Sequence, residues 1–134
     1  MSARFMLDTD TVSFALRGVD SVRTRLLELH PSEVCISVLT LAELRFGADR
    51  KRSKRLHSLI DTFVACVRPV VFDENAAAAF GPLANALLDR GAPIGHLDTL
   101  IAAHALALNV VLLTNNTRHF SRVRGLRTES WAEQ

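Results

Sequence analysis

Arg4-Phe5-Met6-Leu7-Asp8-Thr9-Asp10 is the stretch on which the reading of this chain turns. Phe5, Met6 and Leu7 follow one another with no polar residue between them, as in a central strand covered on both faces. Asp8 stands at the carboxyl end of that strand, the edge at which open parallel α/β sheets bind ligands. A structural use of the same acids is also open at this point. Asp8 can begin a turn, and Asp10 can cap a helix starting near Thr11.

Outward from this strand, helical and strand patterns alternate. Thr11 to Leu16 reads as a helix closed by Gly18, and a second amphipathic segment runs to His30-Pro31. Val34 to Val38 is a β-branched strand candidate. Thr40-Leu41-Ala42-Glu43 has capping-box spacing and predicts a helix that opens there and is stopped by Gly47. A helix with Leu56, Leu59, Ile60, Phe63 and Val64 on its apolar side follows, then a strand over Pro69 to Phe72. Asp73 and Glu74 start an Ala-rich helix to about Leu88, and Gly91, Pro93 and Gly95 mark a loop. Asp98 begins a helix, Thr99 to Leu108, that is apolar nearly all round and is therefore expected to be buried. Val110 to Thr114 is the clearest strand, and the tail to Trp131 adds an edge strand. This alternation predicts an α/β fold with a parallel sheet of four to five strands, in one domain over residues 1–134.

The 134 residues are 49% hydrophobic and 22% charged, typical of a globular protein. No stretch is apolar for long enough to span a bilayer, and the first residues lack a signal-peptide pattern, so a cytoplasmic location is expected. A formal charge of +2 does not by itself indicate nucleic-acid binding. The basic residues, however, are almost all Arg, whose planar fork grips two oxygens of a phosphate or carboxylate at once. Two basic groups stand out: the run from Arg50 to Arg55, with Arg50 and Arg52, and a later group with Arg118, His119, Arg122 and Arg124. Either suits an RNA backbone, the later one better because it follows the last core strand. Cys35 and Cys66 lie in apolar runs without metal-ligand spacing and read as buried thiols. His96 reads as a loop residue and His104 as a hydrogen-bonded core histidine.

Four acids share an address. Asp8 follows the first strand, Asp10 is two residues on, Glu43 follows the second strand, and Asp98 opens the buried helix. In a parallel sheet these positions meet at one edge. Several carboxylates without a matching cation repel one another, and no Lys or Arg adjoins Asp8, Asp10 or Asp98 in sequence. A hard divalent cation with oxygen ligands, Mg²⁺ or Mn²⁺, resolves that conflict and points to phosphoryl chemistry. Asp8-Thr9-Asp10-Thr11-Val12 also matches the opening motif of haloacid-dehalogenase-like phosphatases, with Asp8 as nucleophile and Asp10 as general acid. That family needs a downstream Lys and a late pair of acids. The only lysines here are Lys51 and Lys54, and Leu113 is followed by Thr114-Asn115-Asn116.

A second resemblance runs nearly end to end. Met6-Leu7-Asp8-Thr9-Asp10 is followed by Thr40-Leu41-Ala42-Glu43-Leu44-Arg45-Phe46-Gly47 and Pro93-Ile94-Gly95-His96-Leu97-Asp98-Thr99-Leu100-Ile101-Ala102-Ala103-His104-Ala105. Leu113-Thr114-Asn115-Asn116 and Phe120 complete the series. In this order and spacing the chain resembles the PIN-domain ribonucleases, specifically VapC-type toxins of bacterial toxin–antitoxin pairs. The resemblance implies a PIN-like domain with helices on both faces of the sheet. It also implies Asp8, Glu43 and Asp98 as ligands of Mg²⁺ or Mn²⁺, with Thr114 orienting water or a phosphate oxygen and Asn116 near the metal. Endonucleolytic RNA cleavage, a homodimer and inhibition by a VapB-type antitoxin are implied too, and the nearest subgroup cuts initiator tRNA in the anticodon stem-loop. Two positions depart from the pattern: many PIN domains carry an acid where this chain has Asn116, and Asn where it has Asp10. A degenerate PIN-like module that binds RNA or a partner without cutting is the non-enzymatic alternative, and the intact Asp8, Glu43 and Asp98 argue against it.

Overall fold

Phe5–Leu7 (β1) lies at the centre of a five-stranded parallel sheet in the computed structural model, which describes residues 3–132. β2 (Val34–Ser37) and β3 (Arg68–Val70) extend the sheet on one side. β4 (Val111–Leu113) and β5 (Thr128–Glu129) extend it on the other, giving the order β3-β2-β1-β4-β5. β1 therefore pairs with strands from both directions, Phe5 opposite Val34 and Leu7 opposite Leu113. The chain reverses its direction of growth across the sheet at β1, so the carboxyl ends of β1 and β4 frame the topological switch point.

Alternate side chains enter two separate cores. Phe5, Leu7, Val34, Ile36 and Leu113 face one side, where α1 (Thr9–Leu16), α2 (Asp20–Glu28), α3 (Val38–Arg50) and α4 (Lys54–Cys66) cover them. Met6, Cys35 and Leu112 face the other, under α5 (Glu74–Asp89), α6 (His96–Leu108) and the short α7 (Thr117–Phe120). Covering on both faces explains the unbroken apolar run of β1. The burial expected for α6 is found at Ile101, Ala102, Ala103, His104 and Ala105.

Three helix starts differ from the sequence reading, and all bear on the site. α1 begins at Thr9, capped by Asp8 and not by Asp10: Asp8 Oδ1 accepts from the Thr9 amide at 2.9 Å. α3 begins at Val38, directly from β2, with Ser37 as its cap, so Thr40 and Glu43 form no capping box and Gly47 lies inside the helix. α6 begins at His96 after Gly95, whose φ of 93° is open to glycine at little steric cost. Asp98 is consequently in the first turn and is not the cap. Cys35 is buried as expected, but Cys66, the last residue of α4, is exposed.

Candidate active site at the switch point

Asp8 is 7% exposed, held between the ends of β1 and β4. Its backbone amide donates to Leu113 O, its Oδ1 accepts from Thr9, and its Oδ2 accepts from the Thr114 hydroxyl at 2.9 Å. Burial, followed by the negative charge of Asp10, pushes this carboxyl from its ordinary 3.8 up to about 7, with Asp98 adding to the effect. The hydrogen bonds from Thr9 and Thr114 oppose that rise without cancelling it. Asp98 is also raised, mainly by burial, with Asp10 contributing and His119 opposing. Asp8, Asp10 and Asp98 therefore lie within electrostatic reach of one another.

Each carboxylate is nevertheless tied to its own neighbour. Asp10 Oδ2 accepts from the Asn115 amide at 3.0 Å, and Glu43 Oε1 accepts from the Thr9 hydroxyl. Asp98 Oδ2 lies 3.0 Å from His119 Nε2, which also meets Ile94 O at 2.9 Å. Among the described residues, no three His, Cys, Asp or Glu side chains stand close enough to enclose one ion. No Lys or Arg forms an ion pair with Asp8, Asp10, Glu43 or Asp98 among those residues either.

Thr114 is fully buried. Its hydroxyl donates to Asp8 and accepts from the Asn116 amide at 3.1 Å, so it holds Asp8 in place and does not face a substrate. Asn116 is exposed at the start of α7, and its side chain makes no capping bond. The later basic group divides. Arg118 is exposed on α7, whereas the Arg122 guanidinium donates to Pro93 O at 3.2 Å and braces the loop before α6. His119 is turned to Asp98. Arg50 and Arg52 sit at the exposed end of α3 and in the turn after it.

Thr9 and Glu43 continue into a groove of about 730 Å³ between α1, α3 and α4, whose lining includes Arg17, Lys51 and Arg55. Sequence reading passed over Thr9 and Arg17 as site residues because no local pattern distinguishes them, whereas Arg55 lies in the basic run already noted as suited to an RNA backbone. It named His119 only as a basic residue, since its approach to Asp98 spans α6 and β4.

Fold and site together define an α/β protein with carboxylates gathered at its topological switch point. The PIN-domain family profile matches residues 5–126. The chain is 39% identical over 131 residues to the tRNA(fMet)-specific endonuclease VapC of Shigella flexneri, an alignment covering 96% of this chain and 98% of that protein. Among solved structures, DNA-bound VapBC from Salmonella typhimurium superposes with a TM-score of 0.90 at 35% identity, covering 96% of this chain and 98% of that one. VapBC2 from Rickettsia felis, bound to a DNA fragment from its promoter, gives a TM-score of 0.88 at 34% identity, with 95% and 98% covered. The chain belongs to the PIN-domain family, among the VapC ribonucleases, and the phosphatase reading of Asp8 and Asp10 is set aside. Among the described residues no helix is long and apolar enough to cross a membrane.

Proposed function

We propose that this protein is the toxin of a type II toxin–antitoxin pair, a cytoplasmic endoribonuclease that hydrolyses RNA phosphodiester bonds with the aid of Mg²⁺ or Mn²⁺. Initiator tRNA is the substrate we favour, because the Shigella flexneri relative is named for that activity. A VapB-type antitoxin is the partner, as the VapBC complexes among the structural neighbours suggest. The toxin itself is read as a homodimer of single PIN domains.

The observation that carries this reading is the convergence of Asp8, Asp10 and Asp98 within electrostatic reach of one another at the switch point, with no Lys or Arg paired to them among the described residues. Such a site favours a cation, and its donors are all hard oxygens, which suit Mg²⁺ or Mn²⁺ over softer metals. Asp8 and Asp98 would hold the ion, with Glu43 completing the site. Mg²⁺ is commonly bound by one or two carboxylates together with water and substrate phosphate, so such a site needs no closed cage of protein ligands. A bound divalent ion supplies Lewis acidity at the phosphate and neutralises the charge that develops there. The chain's own residues supply the positioning. Thr114 and Thr9 fix the two oxygens of Asp8, and Thr9 also holds Glu43. His119 fixes Asp98, and Asn116 is exposed at the start of α7, its backbone amide bonded to Thr114.

Bulk tRNA incubated with the purified protein in Mg²⁺, Mn²⁺ or chelator tests the proposal. Cleavage is expected only with metal, and Asp8→Ala and Asp98→Asn are expected to abolish it while remaining folded by circular dichroism. Cleavage by either variant near the wild-type rate would remove that residue from the site.

A further inference from the structure

We infer that the groove between α1, α3 and α4 binds the single-stranded RNA beside the cut, taking its phosphates at Arg17, Lys51 and Arg55. This inference rests on the nuclease reading above and extends it to the substrate's path.

Continuity is the first observation. Thr9, which follows Asp8 directly, and Glu43 also line the groove, so the groove adjoins the carboxylate site. Charge is the second. Arg17, Lys51 and Arg55 are all exposed, and none takes part in an ion pair among the described residues. Among the described residues Glu43 is the one acid lining the groove, so three cations face one carboxylate there and the balance suits a polyanion. The lining between them includes Leu16, Leu56 and Leu59, half-buried side chains that offer an unstacked base an apolar surface. The volume of about 730 Å³ lies within the range of pockets that enclose small organic ligands.

Gly47 is the third observation. It lies inside α3, where glycine weakens a helix relative to alanine. A Cβ built there would meet nothing within 4 Å, so packing inside the fold does not demand the missing side chain. Gly47 lines the groove, and its bareness keeps the groove open to an occupant.

The test measures KM and kcat for cleavage of bulk tRNA by the full chain. It also measures binding of a fluorescein-labelled single-stranded RNA oligonucleotide to the Asp98→Asn protein across a range of NaCl concentrations. Replacing both Lys51 and Arg55 with Ala is expected to raise KM with little change in kcat. It should also flatten the plot of log affinity against log salt by about 1.4, at roughly 0.7 for each phosphate contact to a single strand. Gly47→Leu should raise KM while melting no lower than wild type, and Arg23→Ala, on the exposed side of α2, should change neither quantity. A wild type that cleaves RNA while the groove variants keep its KM and salt slope overturns this inference and leaves the nuclease reading standing. Groove variants that keep their RNA constants but lose antitoxin affinity overturn it in favour of a protein-docking surface. A wild type that neither binds nor cleaves RNA overturns both.

Discussion

The Thr114 hydroxyl donates to Asp8 Oδ2 at 2.9 Å, tying the ends of two neighbouring strands together across 106 positions of sequence. Because Thr114 is fully buried, Thr114→Val keeps the shape and removes the donor. Loss of a hydrogen bond to a charged group costs about 1.5–3 kcal/mol. Urea denaturation at pH 8 should show a loss of that size. The loss should shrink at pH 5, where Asp8 is largely protonated, and Thr114→Ser should recover most of it.

Asp8 also gives metal-free protein a characteristic pH dependence. Its carboxyl titrates at about 7 when folded, against an ordinary 3.8. Between those values the folded state binds more protons than the unfolded chain, so stability falls as pH rises. The full difference corresponds to on the order of 4 kcal/mol, lost between about pH 4 and pH 8. In chelator, the melting temperature of wild type should therefore drop over that range, and Asp8→Asn should flatten the profile. Metal binding confined to the folded site offsets the loss by about 2.7 kcal/mol at one hundred times Kd. A wild-type profile that rises with pH in chelator would contradict this account of the carboxylate cluster.

His119 joins the loop before α6 to Asp98 through one nitrogen, with Ile94 O at 2.9 Å and Asp98 Oδ2 at 3.0 Å. Neighbours that orient a metal-binding carboxylate typically matter 10- to 100-fold for affinity or activity. His119→Ala is predicted to weaken Mn²⁺ binding and RNA cleavage by about that much. His119→Gln, which retains a donor, should restore part of both. Equal behaviour of the two variants would mean that the ring serves only to pack against Phe120.

Ser37 supports the site from below. Its hydroxyl caps α3 through the Leu39 amide at 3.1 Å and meets buried His104 Nδ1 at 2.9 Å. Ser37→Ala removes a cap worth about 1 kcal/mol and leaves a buried nitrogen without its partner, at about 1–3 kcal/mol. A stability loss of roughly 2–4 kcal/mol is expected. Ser37→Thr should be milder if the pocket admits the added methyl group.

The strands were legible because burial on both faces writes itself into sequence as apolar runs, as at Phe5 to Leu7 and Val111 to Leu113. Helix starts were harder. Val38 looks like strand because it is β-branched, and Thr40 with Glu43 imitates a capping box, although the chain passes from Ser37 straight into α3. The addresses of Asp8, Glu43 and Asp98 could be read once a parallel sheet was assumed. The bonds from Thr9 to Glu43 and from His119 to Asp98 could not, because they depend on how separate helices pack and leave no local pattern.

The strand order also imposes a timetable on synthesis. β1 leaves the ribosome first, yet one of its two partners, β4, is made more than a hundred residues later. Until β4 arrives, β1 has an open edge, Asp8 lacks Thr114, and Asp98 has no His119. A nascent chain that has folded α1 to α4 around β1 to β3 thus carries only half of the carboxylate site. The carboxylate site is thus the last part of the fold to close, and it stays incomplete until the final third of the chain has been made.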